Sequence, residues 1–256
     1  MIHVWMIILF LILFMLVHIA KMTRLYLVLL EQKISFGRFV VVYLKTTCVN
    51  LIVPFKLGEI YRVYALAKET KKFPVGFLSV LVDRFFDTVS LLLILIPVFL
   101  LHLSEPEFVP VVLAVILIFL AMFYMIFPST NAYLNALIIK YKTSRRSMAA
   151  LSTLDRAEDL YEYCKQLIRG RSILMIAFSC MGWILEGLAL MVLSKMIGEV
   201  FGFGEFSQYI ASIFTTGGSR LLHVYTIIGI VVLVILTILV CLIRIIGRKE
   251  VKNQVE

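Results

Sequence analysis

Long apolar segments separated by short charged ones dominate the chain and predict its helices. Residues 1–20 contain no Lys, Arg, Asp or Glu, and about twenty apolar residues are enough to cross a bilayer as a helix. Similar segments lie at about 77–101, 109–127, 172–196 and 221–243. We therefore predict five crossings, the first ending at Lys21 and Arg24 and the third ending at Pro128.

A broken helical segment is predicted around Pro54. Only ten residues, all uncharged, separate Lys45 from Lys56, which is short for a crossing and suits a segment that enters the membrane and turns back. Proline disfavours helix at the residue before it and suits the first position of a new helix. We expect one helix to end near Ile52 and a second to run from Pro54 to about Glu69.

A second interruption is predicted at Gly217 and Gly218. They end an uncharged segment, 206–219, that is only 14 residues long. This segment is either re-entrant or an interfacial turn. Interrupted segments in opposite halves of a membrane protein point to a transport site between the halves, but these two share no similar sequence.

The largest polar region contains an amphipathic helix at 144–169. Apolar residues recur there at every third or fourth position, and charged residues fill the other faces. This pattern is typical of a helix that lies on a membrane surface. The basic loops and the basic tail, 244–256, predict a cytoplasmic C-terminus and an outside N-terminus by the positive-inside rule.

Composition agrees with one all-α, polytopic membrane domain over residues 1–256. The chain is 62% hydrophobic and 16% charged, whereas soluble domains are about 45–50% apolar and about 25% charged. The net charge of +9 accompanies no nucleic-acid-binding motif and is compatible with anionic lipid headgroups. The cysteines form no C-x-x-C pair and the histidines are scattered, so neither a disulfide nor a metal site is expected.

Charged residues inside the apolar segments are the candidate chemistry. Each costs about 2.5–3.5 kcal/mol at mid-membrane on insertion scales, so such residues usually have a function. They are Lys56, Glu59 and Arg62 after the break, Asp83, Arg84 and Asp87 in the next segment, and Glu186 further on.

The break could form a phosphate site. A helix that starts at Pro54 directs its free N–H groups toward mid-membrane, and helix N-termini attract phosphate. Lys56 and Arg62 would bind the phosphate, with Asn50 as a neutral donor. Glu59 lies three residues from each cation and could pair with either.

The next helix could neutralise the site. Asp83 and Asp87 share a face, and Arg84 is three residues from Asp87 and can pair with it. The remaining acidic charge could pair with Arg62 or Lys56. Alternatively, these charges only hold two helices together. Glu186 could close the cluster, carry a proton or be a paired structural carboxylate.

Enzyme signatures are missing from the sequence. It has no G-x-S-x-G, H-E-x-x-H, P-loop or Rossmann pattern, so no enzymatic activity and no cofactor are expected. Asp83 and Asp87 could hold a divalent ion for phosphotransfer, but the adjacent Arg84 argues against it.

Three groups of residues resemble a known family: Arg24 with Leu29 and Leu30; Asn50, Pro54, Lys56, Gly58, Glu59 and Arg62; and Asp83, Arg84 and Asp87. The family is the lysylphosphatidylglycerol synthase transmembrane-region family, also called the flippase-like domain family, of bacteria and archaea. The chain departs from the family pattern where Thr216 precedes Gly217 and where His223 falls near an acidic position.

The resemblance implies lipid handling in the plasma (inner) membrane of a prokaryote. Its first implication is flippase-type translocation of an anionic phospholipid or a polyprenyl-phosphate-linked lipid, with Pro54, Gly58, Gly217 and Gly218 at the gating breaks. The alternative is a non-transporting protein that presents lipid to a separate glycosyltransferase or synthase, docked on the 144–169 helix. A homo-oligomer is compatible with either.

Overall fold

The protein is described here from a computed structural model that covers residues 4–53, 57–100, 108–141, 145–212 and 220–253. Every regular element in these ranges is helical, which confirms the all-α prediction. The helices are α1 (Val4–Leu29), α2 (Phe36–Ile52), α3 (Gly58–Thr70), α4 (Phe73–Leu100), α5 (Phe108–Tyr141), α6 (Arg145–Ile168), α7 (Ser172–Ile197), α8 (Phe203–Ser212) and α9 (Arg220–Asn253).

Within the described residues, four segments are long and apolar enough to cross a membrane: Val4–Gln32, Val111–Lys140, Ser172–Ile197 and Arg220–Arg244. They confirm the class of polytopic helical membrane protein. The remaining predicted crossing, at about 77–101, corresponds to α4, which is 28 residues long and carries three charged residues, Asp83, Arg84 and Asp87. Its passage through the bilayer stays a prediction.

Two predicted helix ends are wrong. Helix α1 continues to Leu29 because Lys21 and Arg24 do not stop it: both are paired with carboxylates on other helices. Helix α5 continues through Pro128 to Tyr141, as proline is tolerated inside membrane helices when surrounding groups compensate for the lost hydrogen bond.

The break after Ile52 is confirmed. Helix α2 ends there, and Val53 is extended with φ −90° and ψ 119°, as expected for a residue before proline. The next described helix begins at Gly58. Pro54, where its start is predicted, lies outside the described residues together with Lys56.

Two glycines allow the helices around this break to approach closely. Gly58, at the start of α3, lies against Asn50 of α2, where a Cβ would overlap the asparagine backbone. Gly76 of α4 lies against α3, where a Cβ would come within 2.6 Å of the Val63 carbonyl oxygen and the Ala67 nitrogen. Helices α2, α3 and α4 therefore form one closely packed unit.

Helix α1 lies at the centre of the structure, packed against α7 and α4. Its buried positions recur at helical spacing and include Phe14, Val17, Arg24, Leu25 and Val28. An arginine at the middle of an otherwise apolar stripe requires polar partners from the neighbouring helices.

The amphipathic helix predicted at 144–169 is present as α6. The Tyr161 ring contacts the rings of Tyr124 and Phe127 on α5, with centroids 5.0 and 5.1 Å apart. Asn131 of α5 donates a hydrogen bond to Glu158 at 3.0 Å. Part of the apolar face of α6 is thus covered by protein, and its position on a membrane surface stays a prediction.

Candidate functional site

Arg24 is the centre of a buried group of charges. Its Nε and Nη2 donate to the two carboxylate oxygens of Asp83 at 2.7 and 3.1 Å, a two-pronged geometry that only a guanidinium offers. Its Nη1 donates to Asp87 and, at 2.7 Å, to the Ser179 hydroxyl. One side chain from α1 thereby joins α4 and α7.

Arg84 extends this group from α4 to α3. Its Nη2 lies 3.1 Å from Glu59 Oε1 and 3.5 Å from Asp83 Oδ2, and its Nη1 lies 3.2 Å from Asp87 Oδ2. Glu59 also accepts a hydrogen bond from Asn50 Nδ2 at 3.1 Å. The break between α2 and α3 is therefore tied to the charges on α4 through Glu59.

Arg62 is the third guanidinium of the group. It is only 4% exposed, and its Nη1 lies 3.2 Å from Glu59 Oε2. Its other nitrogens lie within 3.5 Å of the hydroxyls of Thr46 and Thr47 on α2. Arg62 is thus enclosed by protein groups.

Arg84 differs from the other two guanidinium groups. Its side chain is 35% exposed, whereas that of Arg24 is 2% exposed. Its Nε is nevertheless covered and has no hydrogen-bond partner among the described residues, and the same is true of Asn50 Oδ1. Buried polar atoms without a partner are rare in proteins, so the junction of α2, α3 and α4 contains one donor and one acceptor whose hydrogen-bonding capacity is unused.

Glu186 of α7 forms a second group with Lys21, which lies three residues before Arg24 on α1. Its Oε2 lies 2.6 Å from Lys21 Nζ, and its Oε1 accepts hydrogen bonds from Tyr209 at 2.7 Å and from Tyr225 at 3.3 Å. Trp183, one turn earlier on α7, donates its indole N–H to the Asp87 carbonyl oxygen at 3.3 Å. This contact places the two groups next to each other.

The expected pairs of Glu59 with Arg62 and of Arg84 with Asp87 are present. The predicted pairing of the remaining acidic charge with Arg62 is absent among the described residues, where Asp83 pairs with Arg24 and Arg84. The alternative partner, Lys56, lies outside those residues. Glu186 has a partner on another helix, as anticipated, but through Lys21. The phosphate-site candidate Lys56 and the gate candidates Pro54, Gly217 and Gly218 lie outside the described residues.

Arg24 and Lys21 are the members that sequence reasoning missed. Both were assigned to the end of the first crossing, although Arg24 belongs to the first group of residues that carries the family resemblance. Leu25 and Leu29 follow it at helical spacing, which was a signal that the helix continues past the charges.

The formal charges of the described network cancel. It contains four basic side chains, Lys21, Arg24, Arg62 and Arg84, and four acidic ones, Glu59, Asp83, Asp87 and Glu186. Among the described residues no group of three or more His, Cys, Asp or Glu side chains could hold a metal ion. The arrangement can admit an anion if one carboxylate is exchanged for it, and Arg84 is the most exposed of the three arginines where such an exchange could take place.

Fold and site together define a polytopic helical membrane protein with a neutral network of buried charges. The family described as the lysylphosphatidylglycerol synthase TM region matches residues 1–218, so the chain belongs to that family and is a membrane-integral, lipid-related protein. Neither curated proteins nor solved structures gave a match. The matched region includes every member of the charge network.

Proposed function

We propose that the protein moves an anionic lipid, either a phospholipid or a polyprenyl-phosphate-linked lipid, between the leaflets of a prokaryotic plasma membrane. The lipid phosphate binds Arg84. The observation that carries this proposal is a partly exposed guanidinium with a covered, unsatisfied Nε beside the break after Ile52. Guanidinium groups bind phosphate through two parallel hydrogen bonds.

The contacts of Glu59 lower the cost of replacing its carboxylate by a lipid phosphate at Arg84. It contacts Arg84, Arg62 and Asn50, so it keeps two partners when the phosphate replaces it at Arg84. Breaking a buried ion pair is costly mainly when it leaves a charge without a partner. The phosphate therefore enters by opening the contact between α3 and α4 without stranding a carboxylate.

The remaining site residues support this exchange. Asp83 and Asp87 hold Arg84 on the α4 side, while Asn50, Lys56 and Arg62 complete the phosphate site from α2, the break and α3. The broken segments at Pro54 and Gly58 and at Gly217 and Gly218 gate access. The N-terminus lies outside and the C-terminus in the cytoplasm.

Reconstituted vesicles with labelled phosphatidylglycerol test the proposal. A hydrogen bond to a charged group contributes about 1.5–3 kcal/mol, and each 1.4 kcal/mol is about tenfold. Arg84→Ala should therefore slow transbilayer movement by about tenfold or more. The control is Arg156→Ala, which removes an exposed arginine from α6 and should leave the rate unchanged.

Two results would contradict lipid movement. One is a wild-type rate no higher than that of protein-free vesicles, and the other is an equal rate for wild type and Arg84→Ala. Vesicles of polyprenyl phosphate and of phosphatidylglycerol, assayed in parallel, separate the two lipid classes.

Lipid presentation to a separate glycosyltransferase or synthase is the second candidate. It is favoured by the outer face of α6, which exposes Arg156, Asp159, Glu162 and Lys165. Charge reversal at Arg156 and Lys165 would then release a co-purifying enzyme. Unchanged co-purification, or lipid movement by the protein alone, would argue against this candidate.

A further inference from the structure

Glu186 is the point at which four helices meet. It belongs to α7, and its carboxylate contacts Lys21 of α1, Tyr209 of α8 and Tyr225 of α9. Its side chain is 5% exposed, whereas that of Lys21 is 25% exposed. One buried carboxylate with a partly accessible cation therefore holds α8 and α9 to the central pair of helices.

The chemistry of this pair differs from that of the Arg24 group. Asp83 and Asp87 face guanidinium groups, which stay protonated in proteins. In the Lys21–Glu186 pair both members can gain or lose a proton. The charge at Glu186 can therefore change in a way that the charge on an arginine cannot.

Tyr209 and Tyr225 are able to hydrogen-bond to Glu186 in either of its protonation states. A phenol hydroxyl donates to a carboxylate and can equally accept from a carboxylic acid. Tyr209 and Tyr225 can therefore remain hydrogen-bonded to Glu186 after it takes up a proton. A carboxyl group in a purely apolar site would have no such hydrogen-bond partners in either protonation state.

A proton on Glu186 would also change the balance of charge around a bound lipid phosphate. A lipid phosphate brings negative charge into the hydrocarbon, where unbalanced charge is expensive. One proton on Glu186 frees Lys21 from its counter-ion, so that Lys21 adds a positive charge toward balancing the phosphate. Protonation also removes one ion pair between α1 and α7.

We propose that Glu186 binds and releases the proton that couples lipid movement to the pH difference across the membrane. This inference rests on the proposed lipid movement. Among the described residues, the charged and titratable side chains near it on the packed helices are His18, Lys21 and Arg24 of α1, Asp83 and Asp87 of α4, Tyr209 of α8 and Tyr225 of α9.

Infrared difference spectroscopy of the purified protein in lipid nanodiscs tests proton binding without transport. Acidification of the wild type should produce the carbonyl stretch of a buried carboxylic acid. The band should be missing in Glu186→Gln, which keeps the side-chain shape, and present in Asp159→Asn, which alters an exposed carboxylate of α6. A spectrum of Glu186→Gln identical to that of the wild type would overturn the inference.

The ratio of lipid-movement rates with and without a pH gradient tests coupling. We expect a ratio above one for wild type and for Glu186→Asp, which keeps a titratable carboxylate, and a ratio of one for Glu186→Gln. A wild-type ratio of one overturns coupling and leaves the proposed lipid movement intact. Failure of the wild type to move lipid under any condition overturns lipid movement instead, and the infrared bands still decide whether Glu186 binds a proton.

Discussion

Helix α1 and helix α6 both carry ion pairs, but they use them in opposite environments. Arg24 of α1 and its partner Asp83 are each 2% exposed, whereas Lys165 and Glu162 of α6 are 56% and 51% exposed. Both pairs have normal distances, 2.7 and 3.1 Å. The two pairs therefore differ in burial far more than in distance, and breaking a buried pair costs about 3–5 kcal/mol, whereas an exposed pair contributes about 0–1 kcal/mol.

The apolar residues of α1 and α5 show a similar contrast in burial. Helix α1 buries Phe10 and Phe14 against its neighbours, while α5 leaves Phe119, Phe123 and Met125 largely exposed. Exposed apolar side chains on a membrane helix contact lipid at little cost, because lipid tails are as apolar as leucine. Helix α1, which carries the buried charges, is therefore central, whereas α5, whose apolar side chains are largely unburied, is peripheral.

Removal of Arg24 should have the largest effect on stability. Arg24→Met leaves Asp83 and Asp87 with only Arg84, and loss of one member of a buried pair costs about 3–5 kcal/mol. Thermal unfolding in detergent, followed by circular dichroism, should show a much lower transition than wild type. A transition equal to that of the wild type would mean that the buried network does not hold α1 in place.

Gly76→Ala should have an intermediate effect. The added Cβ meets the backbone of α3, and overpacking of a close contact costs about 1–3 kcal/mol. Gly37→Ala is the matched control, since a Cβ there meets nothing within 4 Å and alanine favours helix by about 0.5–1 kcal/mol. Equal transition temperatures for the two variants would refute the close packing of α3 and α4.

Lys165→Ala should have the smallest effect. Exposed ion pairs contribute about 0–1 kcal/mol, so the unfolding transition should stay near that of the wild type and change little with salt. A decrease in the unfolding temperature as large as that of Arg24→Met would refute the contrast between the ion pairs of α1 and α6.

The features that could be predicted from the sequence are local ones. Pro54 determines the end of α2 at Ile52 because its ring acts on the residue before it. The i, i+3 pairs of Glu59 with Arg62 and of Arg84 with Asp87 follow from helical spacing alone. Several residues that carry the family resemblance, Arg24, Glu59, Asp83, Arg84 and Asp87, also belong to the charge network.

The features that could not be predicted depend on contacts between distant segments. Arg24 and Asp83 are 59 residues apart, and hydropathy registers Arg24 only as a charge that ends a crossing. Whether a charge ends a membrane helix or remains inside it depends on its partner. Packing between the helices determines which residue becomes the ion-pair partner, and a single sequence does not reveal that packing.

The spacing of these partners has a consequence for biogenesis. Lys21 and Glu186 are 165 residues apart, and Arg24 and Asp83 are 59 apart, so α1 emerges from the ribosome long before its counter-ions exist. Lys21 and Arg24 therefore remain without these counter-ions, near the membrane surface or inside the insertion machinery, until α4 and then α7 are synthesised. Final seating of the first helix is therefore a late event, completed only after most of the polypeptide has been translated.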